Sequence, residues 1–449
     1  MAVVYGRRRQ GKTVLLQALA EQTHALYWQA IEGSATANLR RFELAVAAHR
    51  STAAPAYASW EDAFRDVLDS PEPSVVLIDE FGYLCDHAPE IPSVLQAVWT
   101  PALQRRSAVH LVLCGSTYAQ MERLIARDAP LRGRASSVIT VAPFGFRESA
   151  DFWGLADHPE AAFKVHALVG GTPAYRDFVH GRPSRGNVDQ WMTDHVLRPD
   201  CPLASEGELL IAADGRTDRS LYWSVLSAII DGFRRPSEIA QALGRSVAAV
   251  QFPLGVLASS RLIELVVDPL DPRRTTAVLT EPILRLHAVV LAGRSHLLGS
   301  RAKAMWEDAQ SRVASRVYAP HLEHIAIEWV RDHAAPVSVG GLCDLVGPSM
   351  IGRGSGAMQL DLVGTAAVGS SRRAPVIIGE VKSGSEPVGA GELARLDVAA
   401  GLLSAKAGND APIVRLLVAR AGFTADLRRA ARIRSDVQLV DLDRLYGGA

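Results

Sequence analysis

Cysteine is scarce in this sequence, and the features of a disulfide-stabilised or membrane protein are missing. The four cysteines, at positions 85, 114, 201 and 343, are far apart and form no C-x-x-C pair. This spacing favours buried thiols in a reducing compartment over disulfides or a zinc site. No apolar run approaches the ~20 residues of a membrane helix, and no charged-then-apolar leader opens the chain. We therefore expect a soluble, cytoplasmic protein without a membrane partner.

An excess of one charge is also absent, because 48 Lys and Arg residues balance 48 Asp and Glu residues. No general positive field predicts binding to nucleic acid, so any such partner must be argued from a local site. The chain has 449 residues, which exceeds the ~250–300 residues that usually share one hydrophobic core. We therefore predict several folded domains.

What the chain does contain is a phosphate-loop motif, G-x-x-x-x-G-K-[ST], close to its N-terminus. The motif consists of Gly6, Arg7, Arg8, Arg9, Gln10, Gly11, Lys12 and Thr13. An apolar run precedes it and helical spacing follows it, which is the context that the motif requires. Backbone N–H groups of the loop would cradle phosphate oxygens, Lys12 would reach the β- and γ-phosphates, and Thr13 would ligate Mg²⁺. Since these groups already satisfy the phosphates, we expect the three arginines to be solvated or to contact a neighbouring domain.

A second apolar run, residues 75–78, predicts a buried parallel strand that ends at Asp79 and Glu80. Asp79 at this position would hold Mg²⁺ through water, and Glu80 would polarise the attacking water as a general base. Together with the phosphate loop, this pair predicts hydrolysis of a nucleoside triphosphate.

Three more residues are candidates for sensing the γ-phosphate. Ser116 follows the predicted strand at 110–114, and it either contacts the γ-phosphate or caps a helix. Arg132 and Arg134 lie further along the chain. They either stabilise γ-phosphate charge, within one chain or across a subunit interface, or are solvated surface residues.

The stretches GRRRQGKT, VVLIDEF, CGST, PLRGR and VGGTPAY together resemble the archaeal-type P-loop ATPases, relatives of the AAA and signal-transduction ATPases. The resemblance implies ATP as the nucleotide, because no guanine-reading N-K-x-D motif is evident. It also implies a small helical lid that contains the Gly-Gly-x-Pro stretch at 170–173. Family members usually have a longer segment before the first strand, with a helix that helps cover the base. Only five residues precede Gly6 here, so we expect an open or incomplete adenine pocket.

The segment from residue 219 to residue 290 predicts three helices and a hairpin, a winged helix-turn-helix. It carries eight arginines and six carboxylates, but its third helix has only Arg245, at its start. We expect Pro253 to kink or shorten that helix. Because contacts of Lys and Arg with phosphate dominate DNA affinity, Arg273 and Arg274 in the wing are the best candidates for DNA contact. Binding to DNA and a structural adaptor role are both open, and the composition favours the adaptor.

The last third of the chain carries a pattern of carboxylates and lysine, D-(x18)-E-x-K, formed by Asp361, Glu380 and Lys382. Glu380 and Lys382 stand two apart on a predicted strand and share one face, and a hairpin would place Asp361 beside them. The two carboxylates would hold Mg²⁺, and Lys382 would position or deprotonate the attacking water. The pattern resembles the restriction-endonuclease-like fold, in which such residues carry phosphodiester hydrolysis. Glu323 matches the additional helix acid of that family, which implies a further metal ligand.

These observations predict an α/β protein with four parts: a P-loop ATPase core at 1–150, a helical lid at 151–215, a winged helix-turn-helix at 216–292, and a restriction-endonuclease-like α/β domain at 293–449. Two functions are open. The first is an Mg²⁺-dependent ATPase, possible as a homo-oligomer, whose nucleotide state controls a nuclease-like domain that acts on DNA. The second is a non-catalytic ATP-dependent switch with an inert binding module.

Overall fold

A computed structural model describes residues 1–70, 74–212, 219–352, 357–368, 372–407 and 412–448. The chain divides by its contacts into two compact units. The N-terminal unit is Met1–Pro143 together with Thr172–Ala174, and the C-terminal unit is Phe144–Gly171 together with Tyr175–Ala449. The division into four domains stays a prediction, and its boundary at residue 215 lies outside the described residues.

The N-terminal unit is built around a five-stranded parallel sheet with the order β2-β3-β4-β1-β5. Its strands and helices are, in chain order, β1 (Ala2–Tyr5), α1 (Lys12–Thr23), β2 (Leu26–Gln29), α2 (Ala35–Arg50), α3 (Trp60–Leu68), β3 (Ser74–Asp79), α4 (Phe81–His87), α5 (Ile91–Gln104), β4 (Val109–Gly115), α6 (Tyr118–Ile125) and β5 (Ser137–Thr140).

The central strands of this sheet are apolar because they are buried. Leu77 and Ile78 of β3 and Leu113 of β4 have no exposed surface, as expected for parallel strands covered on both faces. Since parallel strands present their carboxyl ends at one edge, the order of the sheet places the ends of β1, β4 and β3 side by side. Ligands of open α/β sheets bind at this edge, and the phosphate-loop residues, Ser116 and Asp79 follow these three strands.

The first part of the C-terminal unit is helical and then forms the predicted three helices and hairpin. Its regular elements are α7 (Phe146–Trp153), α8 (Pro159–Val169), α9 (Val188–Trp191), α10 (Leu203–Ala212), α11 (Arg219–Ile230), α12 (Pro236–Ala242), α13 (Val247–Ser259), β6 (Ile263–Asp268), β7 (Asp271–Leu279), α14 (Pro282–Leu286), α15 (Ala302–Val313) and α16 (Ala319–Glu328). Short 3-10 turns occur at Pro173–Arg176, Ser295–Leu297 and Pro336–Ser338. π-helical turns follow α9, α14, α15 and α16, at Met192–Val196, His287–Leu291, Ala314–Tyr318 and Trp329–His333.

The winged element consists of α11, α12, α13, β6 and β7, and its third helix, α13, is not shortened at Pro253. The helix continues from Val247 to Ser259 with Pro253 inside it, and a kink there stays a prediction. Pro253 is buried, as are Val250 and Leu254 of the same helix. Burial of an apolar face offsets the lost backbone hydrogen bond.

The remainder of the C-terminal unit is a five-stranded mixed sheet with the order β12-β11-β10-β9-β8. Its elements are β8 (Leu345–Ile351), β9 (Met358–Val368), β10 (Arg372–Lys382), α17 (Ala390–Ala407), β11 (Val414–Ala419), α18 (Ala425–Ile433), β12 (Val437–Val440) and α19 (Leu442–Gly447). Strands β8, β9 and β10 are antiparallel neighbours, whereas β10, β11 and β12 are parallel. Leu362 pairs with Gly379, so the predicted hairpin does place Asp361 beside Glu380.

Among the described residues, no single helix is long and apolar enough to cross a membrane. One pair of helices bent by 115°, α12 with α13, meets the criteria of length and composition when the two are taken together.

Candidate functional site

The phosphate loop links β1 to α1 in a conformation that the motif glycine makes accessible. Gly11, directly before α1, has φ 85°, in the left-handed region that L side chains avoid. The ammonium group of Lys12 is buried and donates to the Arg7 carbonyl at 2.7 Å. Burial lowers the pKa of Lys12. The loop therefore wraps around the lysine that was predicted to contact phosphate.

Thr13 and Asp79 meet, as the predicted magnesium site requires. The Thr13 hydroxyl donates to Asp79 Oδ2 at 2.8 Å, and the Asp79 side chain has no exposed surface. The Tyr27 hydroxyl donates to the same carboxylate oxygen at 3.2 Å. Burial and the Asp79 charge raise the pKa of Tyr27 well above its ordinary value, so it stays a donor. A hydroxyl beside a carboxylate is a ligand pair that suits Mg²⁺.

Glu80 is held by Ser116 at the adjacent strand end. The Ser116 hydroxyl donates to Glu80 Oε2 at 2.8 Å, while the Glu80 N–H donates to Asp79 Oδ1 at 2.9 Å. Glu80 has φ 52°, an uncommon value for a residue with a side chain. Such backbone outliers concentrate at functional sites. Ser116 thus orients the predicted base, a contact that neither of its two predicted roles included.

The side chains of Arg132 and Arg134 form hydrogen bonds with groups of the same chain. The Arg132 guanidinium donates to the Arg127 carbonyl. Arg134 donates to the Pro130 carbonyl at 2.9 Å and to Thr100 Oγ1 at 3.3 Å. Within one chain, these bonds favour a role of the two arginines in holding the loop rather than in contacting the γ-phosphate. Their role across a subunit interface stays a prediction.

The variable positions of the loop have separate environments. Arg8 is exposed and donates to the Tyr83 hydroxyl at 2.8 Å, and Arg9 has φ 72°. Gln10 is only 3% exposed, and its amide atoms lack hydrogen-bond partners among the described residues. A buried amide without partners in a loop of this type fits a position that meets a polar ligand.

The end of the Gly-Gly-x-Pro stretch and the residue after it lie near the phosphate loop. Residues 172–174 belong to the N-terminal unit although the segments on either side belong to the other unit. The Ala174 N–H donates to the Arg9 carbonyl at 3.4 Å. The Pro173 ring lies 4.0 Å from the position that a Cβ on Gly11 would take. Ala174, directly after the stretch that the resemblance placed near the nucleotide, therefore contacts the loop.

The carboxylate and lysine side chains of the C-terminal sheet also come together. The Val381 N–H donates to Asp361 Oδ2 at 3.0 Å, and Lys382 Nζ lies 2.9 Å from Glu380 Oε1. Glu380 is 3% exposed. Burial, followed by the charges of Glu380 and Glu323, raises the pKa of Asp361 to about 7.

Two carboxylates at this cluster, Glu380 and Glu323, form ion pairs with cationic side chains. Arg395 from α17 forms an ion pair with the second oxygen of Glu380, and Glu323 pairs with Arg234 at 2.7 Å. Within the described ranges, no group of three or more His, Cys, Asp or Glu residues is placed to hold a metal ion. The assignment of Glu323, Asp361 and Glu380 as joint metal ligands therefore stays a prediction, since Glu323 and Glu380 are paired with cations and Asp361 accepts a backbone N–H.

Lys382 is a poor candidate for deprotonating water. Burial is the largest single effect and lowers its pKa, but the hydrogen bond and charge of Glu380, together with the charges of Glu392 and Asp361, outweigh burial and raise the pKa. A lysine with a raised pKa remains an ammonium ion at neutral pH, so the geometry is compatible with positioning and not with general-base catalysis.

Several functional residues were missed from sequence. Tyr27 lies on β2, and only the adjacency of β2 and β3 brings its hydroxyl to Asp79. Arg395 lies on a helix that covers β10, and its spacing from Glu380 carries no motif. A strand-like run, Leu-Tyr-Trp-Gln at 26–29, was the available signal for Tyr27.

Comparison with known proteins supports the N-terminal assignment. Residues 1–175 match the model of a family described as an ATPase domain predominantly from Archaea. An uncharacterized protein of Methanocaldococcus jannaschii is 28% identical over 243 residues, which are 54% of this chain and 52% of that protein. The match thus spans about half the length of this relative.

Two solved structures are also similar. The Walker-type ATPase paby2304 of Pyrococcus abyssi has a TM-score of 0.47 at 17% identity, over 65% of this chain and 90% of that one. The ORC2 protein of Aeropyrum pernix has a TM-score of 0.42 at 13% identity, over 69% and 88%.

The family match covers all the strands of the parallel sheet and the Gly-Gly-x-Pro stretch. Residues 1–175, which hold Lys12, Thr13 and Asp79, are thus similar to the archaeal-type P-loop ATPases.

Proposed function

We propose that the chain is an Mg²⁺-dependent ATPase that uses the site formed by the phosphate loop, Asp79 and Glu80. The observation that carries the proposal is the 2.8 Å contact between the Thr13 hydroxyl and the buried Asp79 carboxylate. These are oxygen donors from the loop and from the acidic strand, the pair that fits a magnesium ion bound to nucleotide phosphates. When bound there, Mg²⁺ would neutralise charge on the β- and γ-phosphates.

The residues of the chain supply the other parts of the reaction. The ammonium group of Lys12 and the N–H groups at the start of α1 bind phosphate oxygens. Glu80 orients the attacking water and accepts its proton as the bond from the γ-phosphorus to the leaving oxygen breaks. Ser116 holds the Glu80 carboxylate at 2.8 Å, which makes Ser116 a positioning residue.

Asp79→Asn tests the magnesium part of the proposal. The change keeps the size of the side chain but removes its charge and one of its two acceptor oxygens, so we expect the Mg²⁺ concentration for half-maximal ATP turnover to rise ~10-fold or more. Asp69→Asn is the matched control, because Asp69 is exposed and pairs only with Arg105 among the described residues. An unchanged Mg²⁺ response in Asp79→Asn would overturn the assignment.

The winged element fits an adaptor better than a free DNA-binding module. Asp268, at the turn of the hairpin, is 4% exposed and accepts the Ser349 hydroxyl from β8 at 2.6 Å. The wing arginines Arg273 and Arg274 both pair with Asp271. The tip of the wing is thus tied to the C-terminal sheet, and its cations are partly neutralised.

For the C-terminal sheet we infer a binding module whose availability depends on the nucleotide state. The observation that favours it is the pairing of both Glu380 oxygens with Lys382 and Arg395. Nucleotide-controlled cleavage of DNA is the second candidate function, and the adjacency of Asp361, Glu380 and Lys382 is the observation that favours it.

Incubation with plasmid DNA separates these two candidates. Wild type and Asp361→Ala are incubated with supercoiled plasmid in Mg²⁺ or Mn²⁺, with and without ATP, and ATP turnover is followed in the same samples. We expect intact plasmid in all samples and equal turnover in both proteins. Nicking by wild type that disappears in Asp361→Ala would replace the binding module with a nuclease.

A further inference from the structure

A cavity of about 160 Å³ lies inside the C-terminal unit, between the winged element and the C-terminal sheet. Residues at the end of α11 and of β7 line one side, and residues of α14 and α16 line the other. Its polar lining includes Arg234, Arg285, Glu323, His324 and Asp361. Engineered apolar cavities of ~150 Å³ hold a ligand the size of benzene, so this one has room for a small molecule.

Arg285 is the unusual member of this lining. It is 6% exposed, and its hydrogen bond is a long one, 3.5 Å to the Leu279 carbonyl. Over the described part of the chain, no carboxylate lies within ion-pair distance of its guanidinium group. A guanidinium has five N–H donors, and a buried charge without a partner is costly. Burial and the nearby charge of Arg234 lower the pKa of Arg285 to about 10, so it remains a cation at neutral pH.

The acids around the cavity do not neutralise this cation. Glu323 is paired with Arg234 at 2.7 Å, and Asp231 is paired with Arg316 at 2.6 Å. Asp361 accepts the Val381 N–H, and its carboxyl is largely desolvated. Two guanidinium groups, Arg234 and Arg285, therefore share the charge of Glu323, and the ion pair of Glu323 is with Arg234 and not with Arg285.

We propose that this cavity is a binding site for a small oxyanion, a phosphate or carboxylate group, with Arg285 as its principal ligand and Arg234 as the second. Planar guanidinium groups bind both kinds of oxyanion through paired N–H donors. The volume admits inorganic phosphate or a short dicarboxylate but not a whole nucleotide. Because the walls come from both the winged element and the C-terminal sheet, a bound anion would join the two.

Thermal unfolding of the full chain tests the proposal. All proteins carry Lys12→Ala, so that the phosphate loop does not contribute to binding. Inorganic phosphate, sulfate and malonate are titrated separately, with sodium chloride keeping the ionic strength constant. We expect a saturable rise in the unfolding midpoint with at least one of the three, and the strongest of them distinguishes the phosphate class from the carboxylate class.

Adding Arg285→Met should weaken this binding ~10-fold or more, since a charged hydrogen-bond donor is lost. Arg273→Met, which removes an exposed arginine of the wing, is the matched control and should leave the affinity unchanged. Ala319→Phe fills the cavity while it keeps Arg285, and it should also abolish binding, which covers the case in which Arg285→Met fails to fold. The proposal would be overturned if Arg285→Met or Ala319→Phe bound the anion with the same affinity as the parent protein that carries Lys12→Ala alone. A rise in the unfolding midpoint that sodium chloride also produces would overturn it too.

Discussion

The two glycines that define the phosphate loop are required for different physical reasons. At Gly11 the backbone φ of 85° lies in the left-handed region, whereas at Gly6 there is no room for a Cβ atom. A Cβ on Gly6 would lie 2.3 Å from the Val141 carbonyl oxygen, far inside van der Waals contact. Glycine is therefore required at position 6 because the Val141 backbone lies too close for a Cβ, and backbone cannot move aside as a flexible side chain can.

Gly6→Ala should accordingly destabilise the protein by about 1–3 kcal/mol, the usual cost of overpacking. Gly401→Ala is the matched control in α17, because a Cβ there meets nothing within 4 Å and the residue is exposed. This control should stabilise the helix by about 0.5–1 kcal/mol. Urea unfolding measures both, and equal effects of the two changes would contradict the steric argument.

Among single residues, those that stand at a fixed spacing within a sequence motif could be predicted from the sequence. Lys12, Thr13 and Asp79 could be assigned because the loop and the acidic strand end are local patterns. Tyr27 and Arg395 could not, because they reach the sites through the order of strands and the packing of a helix. For Lys382 the sequence left positioning and deprotonation of water both open, and the pairing with Glu380, which favours positioning, is visible only in the structure.

At the scale of elements, the hairpin β6–β7 is fixed by its turn. Asp268 accepts the Ser349 hydroxyl and also the N–H groups of Leu270 and Asp271, at 2.9 and 3.3 Å. One carboxylate thus shapes the turn and attaches it to β8. Strand alternation predicted the hairpin, but no local pattern could predict which surface its tip would contact.

Asp268→Ala should reduce the free energy of unfolding by about 1–3 kcal/mol, because it leaves buried donors unsatisfied. A double-mutant cycle with Ser349→Ala should give a coupling energy of about 0.5–3 kcal/mol between the two side chains. Asp271→Ala should have a smaller effect, since its ion pairs are with exposed arginines. A coupling energy of zero would show that the wing is not attached to β8.

At the scale of the whole molecule, the C-terminal unit contains a cluster of three histidines, of which His166 and His321 are buried. His166 Nδ1 lies 3.1 Å from His321 Nε2, and the rings of His321 and His324 are 6.5 Å apart. Burial is the main cause that lowers the pKa of His166 and of His324 to about 4, and that of His321 well below its ordinary value. His321 of α16 meets His166 of α8, a tertiary contact that no local sequence pattern predicts.

The direction of the resulting pH dependence follows from these values. Between pH 6.5 and about 4 the unfolded chain binds protons at these histidines while the folded chain does not, so the free energy of unfolding falls as the pH falls. The raised pKa values of Asp361 and Glu328 act in the opposite direction over this range, so the histidine contribution is measured as the difference between wild type and His321→Phe, each unfolded in urea at pH 7.5, 6 and 5. Relative to wild type, His321→Phe should lose less free energy of unfolding as the pH falls, and an identical pH dependence in the two proteins would contradict the account.

The central claim is that the N-terminal site hydrolyses ATP, and steady-state release of phosphate from ATP in the presence of Mg²⁺ tests it most directly. Lys12→Ala should abolish turnover, whereas Glu80→Gln should retain ATP binding and lose ~100-fold or more in rate, as the removal of a general base does. Lys164→Ala is the control for loss of a lysine, since Lys164 pairs with Glu160 and Asp189 in the other unit. The account predicts turnover in wild type and in Lys164→Ala only. No turnover in wild type, or undiminished turnover in Lys12→Ala, would contradict it.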